Sequence, residues 1–145
     1  MSNIILQPSG NKDAREHFIN TIELPVKLSE IEKFLSQNEK DVLSQIYPEN
    51  QCRIWGVTSG GNNITKWERI KKGDVTLFSK DGAIYASAVT TYKTHNKKLA
   101  EFLWDYNSNG ETWENIYFLD EVRKHNIPYL DFNNAVGYKE NYIIQ

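Results

Sequence analysis

Cysteine is almost absent from the sequence. Cys52 is the single cysteine among 145 residues, which excludes a disulfide within the chain. The three histidines, His17, His95 and His125, are far apart and do not show the ligand spacing of a zinc site. The sequence therefore predicts no metal and no other cofactor, and its low cysteine content is typical of a protein of the reducing cytoplasm.

Long hydrophobic runs are also missing. No apolar stretch approaches the roughly 18 residues of a membrane-spanning helix. Residues 1–10 lack the basic start and the apolar centre of a secretory signal. The mean hydropathy of -0.61 and the length predict a single globular domain over residues 1–145, without a membrane partner and monomeric by itself.

Catalytic motifs are equally scarce. The sequence has no G-x-S-x-G elbow, and the SGG at 59–61 lacks the Lys-Ser/Thr ending of a phosphate-binding loop. Cys52 precedes an apolar run and is interpreted as a packed thiol, while Asp120 and Glu121 are interpreted as surface acids. We therefore expect a non-catalytic domain, so that any nuclease or NTPase activity would belong to a missing part or a partner. The apolar end at 141–145 fits both a domain cut from a longer protein and a short native chain.

Charge is distributed unevenly along the chain. The net charge is -2 overall, but it is -3 over residues 1–50, +6 over residues 51–98 and -5 over residues 99–145. The basic middle third is either an ordinary solvated surface or a local face for a polyanion. A sequence pI near 5.9 argues against non-specific coating of DNA.

Hydrophobic periodicity predicts a helical first third, residues 1–50. An amphipathic pattern covers residues 12–22, and Ser29 with Glu32 has the spacing of a capping box at a helix start. A further helical turn is predicted over Val42–Ile46.

The remaining residues, 51–145, alternate between strand and helix patterns. Lys80, Asp81 and Gly82 form a typical hairpin turn, and Asn96 is a candidate helix cap. Predicted strands are Cys52–Val57, Val75–Ser79, Ala83–Tyr92 and Ile116–Val122, and Asn141–Ile144 is a final strand or a tail. Predicted helices are Lys97–Leu103 and Leu130–Val136, and Asn63–Ile70 is a short helix or a turn. The fold class expected is α+β, with a small curved β-sheet or barrel of about five or six strands flanked by short helices.

Aromatic residues are abundant, with four Trp, eight Tyr and six Phe. Trp55, Trp104 and Trp113 each adjoin a polar loop. Each of them taken alone fits a core position or an exposed stacking surface. Taken together with the basic segment, they indicate a flat aromatic ligand attached to a phosphate backbone.

Three segments carry a resemblance to a known family: IWGVTSGGNN, KWERIKKGDVTLFSKDGAIYASAVTTYK and LWDYNSNGETWENIYFLDEV. Over about residues 50–125 they resemble the EVE family of the PUA superfamily, relatives of the YTH readers of methylated RNA. REHFINTIELPV further resembles EVE-like domains attached to modification-dependent restriction endonucleases. The resemblance implies a PUA-like fold and a reader of modified DNA that flips the base into an aromatic cage.

By position, the resemblance implies that two cage walls are Trp55 and Trp104, that Trp113 is a third candidate, and that Thr58, Ser59 and Asn62 contact the polar edge of the base. The full set of predicted base-binding residues is Trp55, Gly56, Val57, Thr58, Ser59, Asn62, Trp104, Asp105 and Trp113. Candidate phosphate contacts are Lys66, Lys71, Lys72, Lys93, Lys97 and Lys98.

The identity of the modified base stays open between N6-methyladenine and 5-methyl- or 5-hydroxymethylcytosine. The sequence departs from common EVE sequences at FSKDG, where these often have an aromatic-histidine pair. Two other functions also stay open: a modified-RNA binder of the same superfamily, and a small-molecule or protein interaction module. A salt-dependent affinity for nucleic acid would separate the DNA reader and the RNA binder from the interaction module, because phosphate contacts release counterions.

Overall fold

The computed structural model of the protein describes residues 3–136 and residues 143–144. A π-helical turn, Ile19–Glu23, continues the first helix, and a 3-10 turn, Glu32–Phe34, continues the second. Within the described residues, no helix is both long and apolar enough to cross a membrane. The strands are β1 (Ile4–Pro8), β2 (Val26–Lys27), β3 (Gln51–Val57), β4 (Val75–Lys80), β5 (Ala83–His95), β6 (Asn115–Pro128) and β7 (Ile143–Ile144); the helices are α1 (Lys12–Phe18), α2 (Leu28–Ile31), α3 (Gln37–Ile46), α4 (Asn63–Arg69), α5 (Lys97–Trp104) and α6 (Tyr129–Val136).

The strands form one sheet in the order β2-β3-β6-β5-β4-β1-β7. The centre is antiparallel, whereas β1 runs parallel to β4 and β7 runs parallel to β1. Three register shifts between β5 and β6 and one between β4 and β5 bend the sheet, because each bulge adds local twist. The sheet is curved and does not close into a barrel. Together with the helices around it, this confirms the predicted α+β class with a curved sheet.

The two faces of the sheet support separate cores. Neighbouring residues of β3 and β6 point to opposite faces, so that Ile54 and Ile116 enter one core and Trp55 and Tyr117 the other. The first core is covered by α2, α3 and α5, and the second by α1, its π-helical turn and β1. The second core carries the cavity described below.

Several local predictions are confirmed. The strand at Cys52–Val57 and the short helix after Asn62 form where their patterns place them. Asp81 and Gly82 both have positive φ, 53° and 78°, as a two-residue hairpin requires. Asn96 caps α5 by accepting a hydrogen bond from the Leu99 amide at 2.9 Å.

Two features of residues 1–50 differ from the sequence prediction. This third of the chain also supplies two strands, β1 and β2. Strand β1 pairs with β4, about 71 residues later in the chain, and β2 pairs with β3. The capping box predicted at Ser29 is wrong, since α2 begins at Leu28 without a side-chain cap. The capping box lies instead at Ser36 and Glu39, whose side chains each accept the other's backbone N–H at 3.1 Å.

Substituting Ser36 by alanine should lower the free energy of unfolding by about 1 kcal/mol, because the Glu39 N–H at the start of α3 loses its acceptor. Urea denaturation measures the change. Ser29→Ala is the matched control, since the Ser29 hydroxyl only accepts one exposed hydrogen bond from Asn50. Equal losses in the two variants would contradict the assignment of the cap.

Candidate functional site

A cavity of about 220 Å³ lies on the second face of the sheet, between β1, α1, α4 and the end of β3. Its wall combines aliphatic side chains with the rings of Trp55, Trp67, Trp113 and Tyr117, and polar groups enter it from α1 and from the loop that follows β3. The residues that line it are Ile5, Leu6, Gln7, Pro8, Asn11, Ala14, His17, Trp55, Gly56, Val57, Thr58, Asn63, Lys66, Trp67, Ile70, Trp113 and Tyr117.

Trp55 and Tyr117 lie side by side at the base of the cavity. They are directly paired across β3 and β6, and their side chains are 3% and 0% exposed. Phe78 packs edge-on against Trp55, with ring centroids 5.0 Å apart. Trp55 therefore belongs to the core and to the cavity wall at once, and the packing around its ring holds it in place.

Trp113 lines the cavity, whereas Trp104 does not. Trp104 is 8% exposed and packs in the first core. The two approach each other at Gly56, where an added Cβ would clash with the Trp113 carbonyl oxygen and lie 2.6 Å from Trp104 Cζ3. Glycine at this position therefore lets the backbone of β3 fit between the two residues.

His17 of α1 completes this aromatic cluster, and the sequence analysis did not assign it to the site. Its ring centroid lies 4.2 Å from Trp113, 5.3 Å from Trp104 and 6.4 Å from Trp55. Burial lowers the pKa of His17 to about 4, against the opposing effect of the Asp13 charge, so the imidazole is neutral at pH 7. His17 follows Ala14 by three residues, and this spacing was the sequence signal that could have placed it on the buried face of α1.

The loop after β3 is fixed by side-chain hydrogen bonds. Thr58 reaches the cavity and accepts a hydrogen bond from Asn63 Nδ2 at 3.2 Å. Ser59 donates to Glu114 Oε1 at 3.0 Å and does not line the cavity. Asn62 is exposed outside it, so Asn63 is the amide of this loop that lies on the wall.

Asp105 lies away from the cavity, although the resemblance implied a role in base binding. It follows α5 with a positive φ of 61° and its side chain is exposed. Gly56 and Val57, by contrast, both line the cavity at the end of β3.

Trp67 forms a further wall of the cavity and is anchored from both ends. Its Nε1 donates to the Ile116 carbonyl at 3.1 Å, and the Lys93 ammonium lies 4.6 Å from its ring centroid. Lys93 also donates to the Trp67 and Glu68 carbonyls, at 2.8 and 3.2 Å. Burial lowers the pKa of Lys93, and the ammonium is already engaged within the chain.

The other candidate phosphate contacts differ in their distance from the cavity. Lys66 lines it. Lys97 and Lys98 are exposed and follow the end of β5. Asn115 of β6 pairs with His95 at the end of β5 and with Val57 at the end of β3. These lysines therefore lie at the same end of the sheet as the loop that follows β3. Lys71 and Lys72 are exposed on the turn before β4.

Cys52 has no access to this site. It is 1% exposed, its thiol points to the Val26 carbonyl at 3.4 Å, and burial raises its pKa to about 12. The thiolate required of a nucleophile is therefore absent at neutral pH. In the part of the chain that the structure describes, no group of three His, Cys, Asp or Glu residues could hold a metal ion.

Comparison with known proteins shows a similarity of fold. No family model and no curated protein matches the chain. The fold is similar to that of the N-terminal domain of Thermococcus gammatolerans McrB bound to m5C DNA, with a TM-score of 0.67 and 19% sequence identity over 94% of this chain and 84% of that one. At this identity the likeness shows a shared fold, which agrees with the predicted α+β class.

Proposed function

We propose that this chain is a non-catalytic reader domain that binds DNA containing a modified base, as the specificity module of a modification-dependent restriction system. The observation that carries the proposal is the cavity with Trp55, Trp67 and Trp113 on its wall and Lys66 beside them. The shared fold with a domain bound to m5C DNA supports it. A nuclease or NTPase that acts on the recognised DNA would be a separate domain or partner.

The aromatic wall suits a base that has left the duplex. Extrusion costs a few kcal/mol, and stacking on one aromatic residue returns about 1–3 kcal/mol per base. Trp55 offers a buried, fixed ring and Trp113 a half-buried one. Stacking on both would roughly offset the cost of flipping.

A modifying methyl group contributes little by burial alone. Burying one methyl adds about 0.8 kcal/mol, or about fourfold in affinity. Stronger selection requires polar groups that are left unpaired when the wrong base enters. Thr58 and Asn63 lie at the cavity and can supply such groups.

Phosphate contacts would supply most of the affinity. Lys66, Lys97 and Lys98 lie nearest the cavity end of the sheet and are the first candidates for these contacts. Lys71 and Lys72 would reach more distant phosphates, and Lys93 would have to exchange its carbonyl acceptors for a phosphate.

A binding panel tests the proposal. Duplexes identical except for one 5-methylcytosine, 5-hydroxymethylcytosine, N6-methyladenine or unmodified base are titrated at fixed salt, with matched RNA as competitor. We expect one modified duplex to bind best and its affinity to fall as salt rises. Equal binding of all duplexes, or insensitivity to salt, would reject the proposal. A clear win for RNA would make the chain a modified-RNA reader instead.

Trp113→Ala should weaken binding to the preferred modified duplex about 5- to 150-fold, the equivalent of one lost stacking contact of about 1–3 kcal/mol. Tyr106→Ala is the control, since Tyr106 is an exposed aromatic residue of the same loop whose hydroxyl bonds to Glu101 outside the cavity. Fluorescence anisotropy measures both variants. An unchanged preference in Trp113→Ala would show that Trp113 is not a wall of the binding site.

A further inference from the structure

The ring of His17 is a polar group of the cavity whose hydrogen bonding is unaccounted for. The side chain is 7% exposed and lines the cavity. Among the hydrogen bonds of the described side chains, His17 takes part through its backbone carbonyl, which accepts from the Thr21 hydroxyl at 3.0 Å, and not through its ring. Buried polar groups nearly always have a hydrogen-bond partner. The ring of His17 is therefore available to form a hydrogen bond with a molecule that enters the cavity.

We propose that His17 contacts the bound base directly and forms a hydrogen bond with its polar edge. This inference rests on the proposed function and adds to it a specificity-determining residue from α1, which lies in REHFINTIELPV, where the resemblance implied no site residue.

The other polar groups of the cavity are less available for this role. Thr58 and Asn63 already share a hydrogen bond with each other. The Trp67 Nε1 donates to the Ile116 carbonyl, and the Trp55 Nε1 is buried out of reach of a ligand. The tryptophan faces stack on any base and do not select its edge. Gln7 donates to the Pro8 carbonyl, Asn11 accepts from the Ala14 amide, and the Tyr117 hydroxyl is fully buried. His17 is therefore well placed to add hydrogen-bonding selectivity to the aromatic wall.

The chemical state of the ring suits an exchangeable contact. A neutral imidazole carries one donor and one acceptor, and the choice of tautomer decides which nitrogen does which. Both the amino group and the neighbouring ring nitrogen of adenine or cytosine can therefore find a complementary partner in it. The Asp13 charge on its own helix opposes the effect of burial, and Lys66 of α4 lines the same cavity; His17 is neutral at pH 7.5.

The test compares His17→Phe with His17→Gln at pH 7.5 on the duplex panel described above. Phenylalanine keeps an aromatic ring against Trp113 but cannot form the hydrogen bond, whereas glutamine keeps a donor and an acceptor. We expect His17→Phe to bind the preferred modified duplex about 3- to 10-fold more weakly, the range of one net hydrogen bond. His17→Gln should lose less, and the affinity of both for the unmodified duplex should stay unchanged.

His125→Phe is the matched control, because His125 bonds to Ser87 at 2.7 Å and does not line this cavity. An undiminished preference in His17→Phe overturns the inference while leaving the proposed function intact. Equal losses in His17→Phe and His17→Gln also overturn it, since they would indicate a packing role. If the wild-type chain prefers no modified duplex, the proposed function itself fails and the role of His17 fails with it.

A measurement on the unaltered chain covers the case in which a variant does not fold. Nitrogen-15 NMR of the imidazole rings reports the tautomer of each histidine. Adding the preferred duplex should shift the ring nitrogen signals of His17 and leave those of His125 in place. An unshifted His17 in a saturated complex overturns the inference.

Discussion

Replacing Trp104 with alanine is expected to lower the free energy of unfolding by about 3 kcal/mol. Removing a buried Trp ring typically costs 3–5 kcal/mol, and Trp104 is 8% exposed in the first core. The lower end of that range applies because its Nε1 has no hydrogen-bond acceptor among the described residues, so its removal strands no partner. Urea denaturation at pH 7.5 measures the change.

Phe102→Ala is the control for this prediction, since Phe102 lies on the same helix but is 49% exposed. A loss in Trp104→Ala no larger than that of Phe102→Ala would contradict the core assignment. The sequence analysis gave Trp104 a direct contact with the base.

Because Trp104 packs behind Gly56 and beside His17, we expect it instead to support the cavity without touching the base.

Acidification should destabilise the protein through His17. The pKa of His17 is about 4 in the folded chain and about 6.5 when unfolded. The unfolded state therefore binds the proton more tightly, so stability is full above about pH 6.5 and falls as the pH is lowered towards 4. Between pH 8 and pH 5 the expected loss is about 2 kcal/mol.

The matched variant for the pH experiment is His17→Gln, which cannot titrate. Denaturation at pH 8, 6.5 and 5 gives the loss for each chain, and carboxylates common to both cancel in the difference. Parallel stability curves for the two chains would show that His17 is not buried as a neutral imidazole.

Sequence patterns predicted those elements of the fold whose signals are local. The hairpin at Asp81 and Gly82 and the cap at Asn96 follow from residues within a few positions of one another. The strand β1 could not be found in this way, because its stability comes from parallel pairing with β4 about 71 residues later. The two possible capping boxes, at Ser29 and at Ser36, have the same spacing, and tertiary packing decides between them.

The site shows the same division between local and distant signals. The resemblance over residues 50–125 pointed to Trp55, Thr58 and Trp113, which the structure places on one cavity. It could not distinguish Asn62 from Asn63, because one residue of helix rotates the side chain by about 100°. His17 lies in REHFINTIELPV, for which the resemblance implied no site residue, and its buried neighbours Ala14 and Phe18 predicted only a core-facing helix.

The tight fit around Gly56 provides a way to sort related sequences without measuring any of them. A protein of this fold with a side chain at the equivalent position must have moved its counterpart of Trp104 or the backbone at Trp113. Since Trp113 forms part of the cavity wall, such a protein has a differently shaped cavity. Glycine at this position is therefore a discriminating marker for related sequences that retain the same pocket.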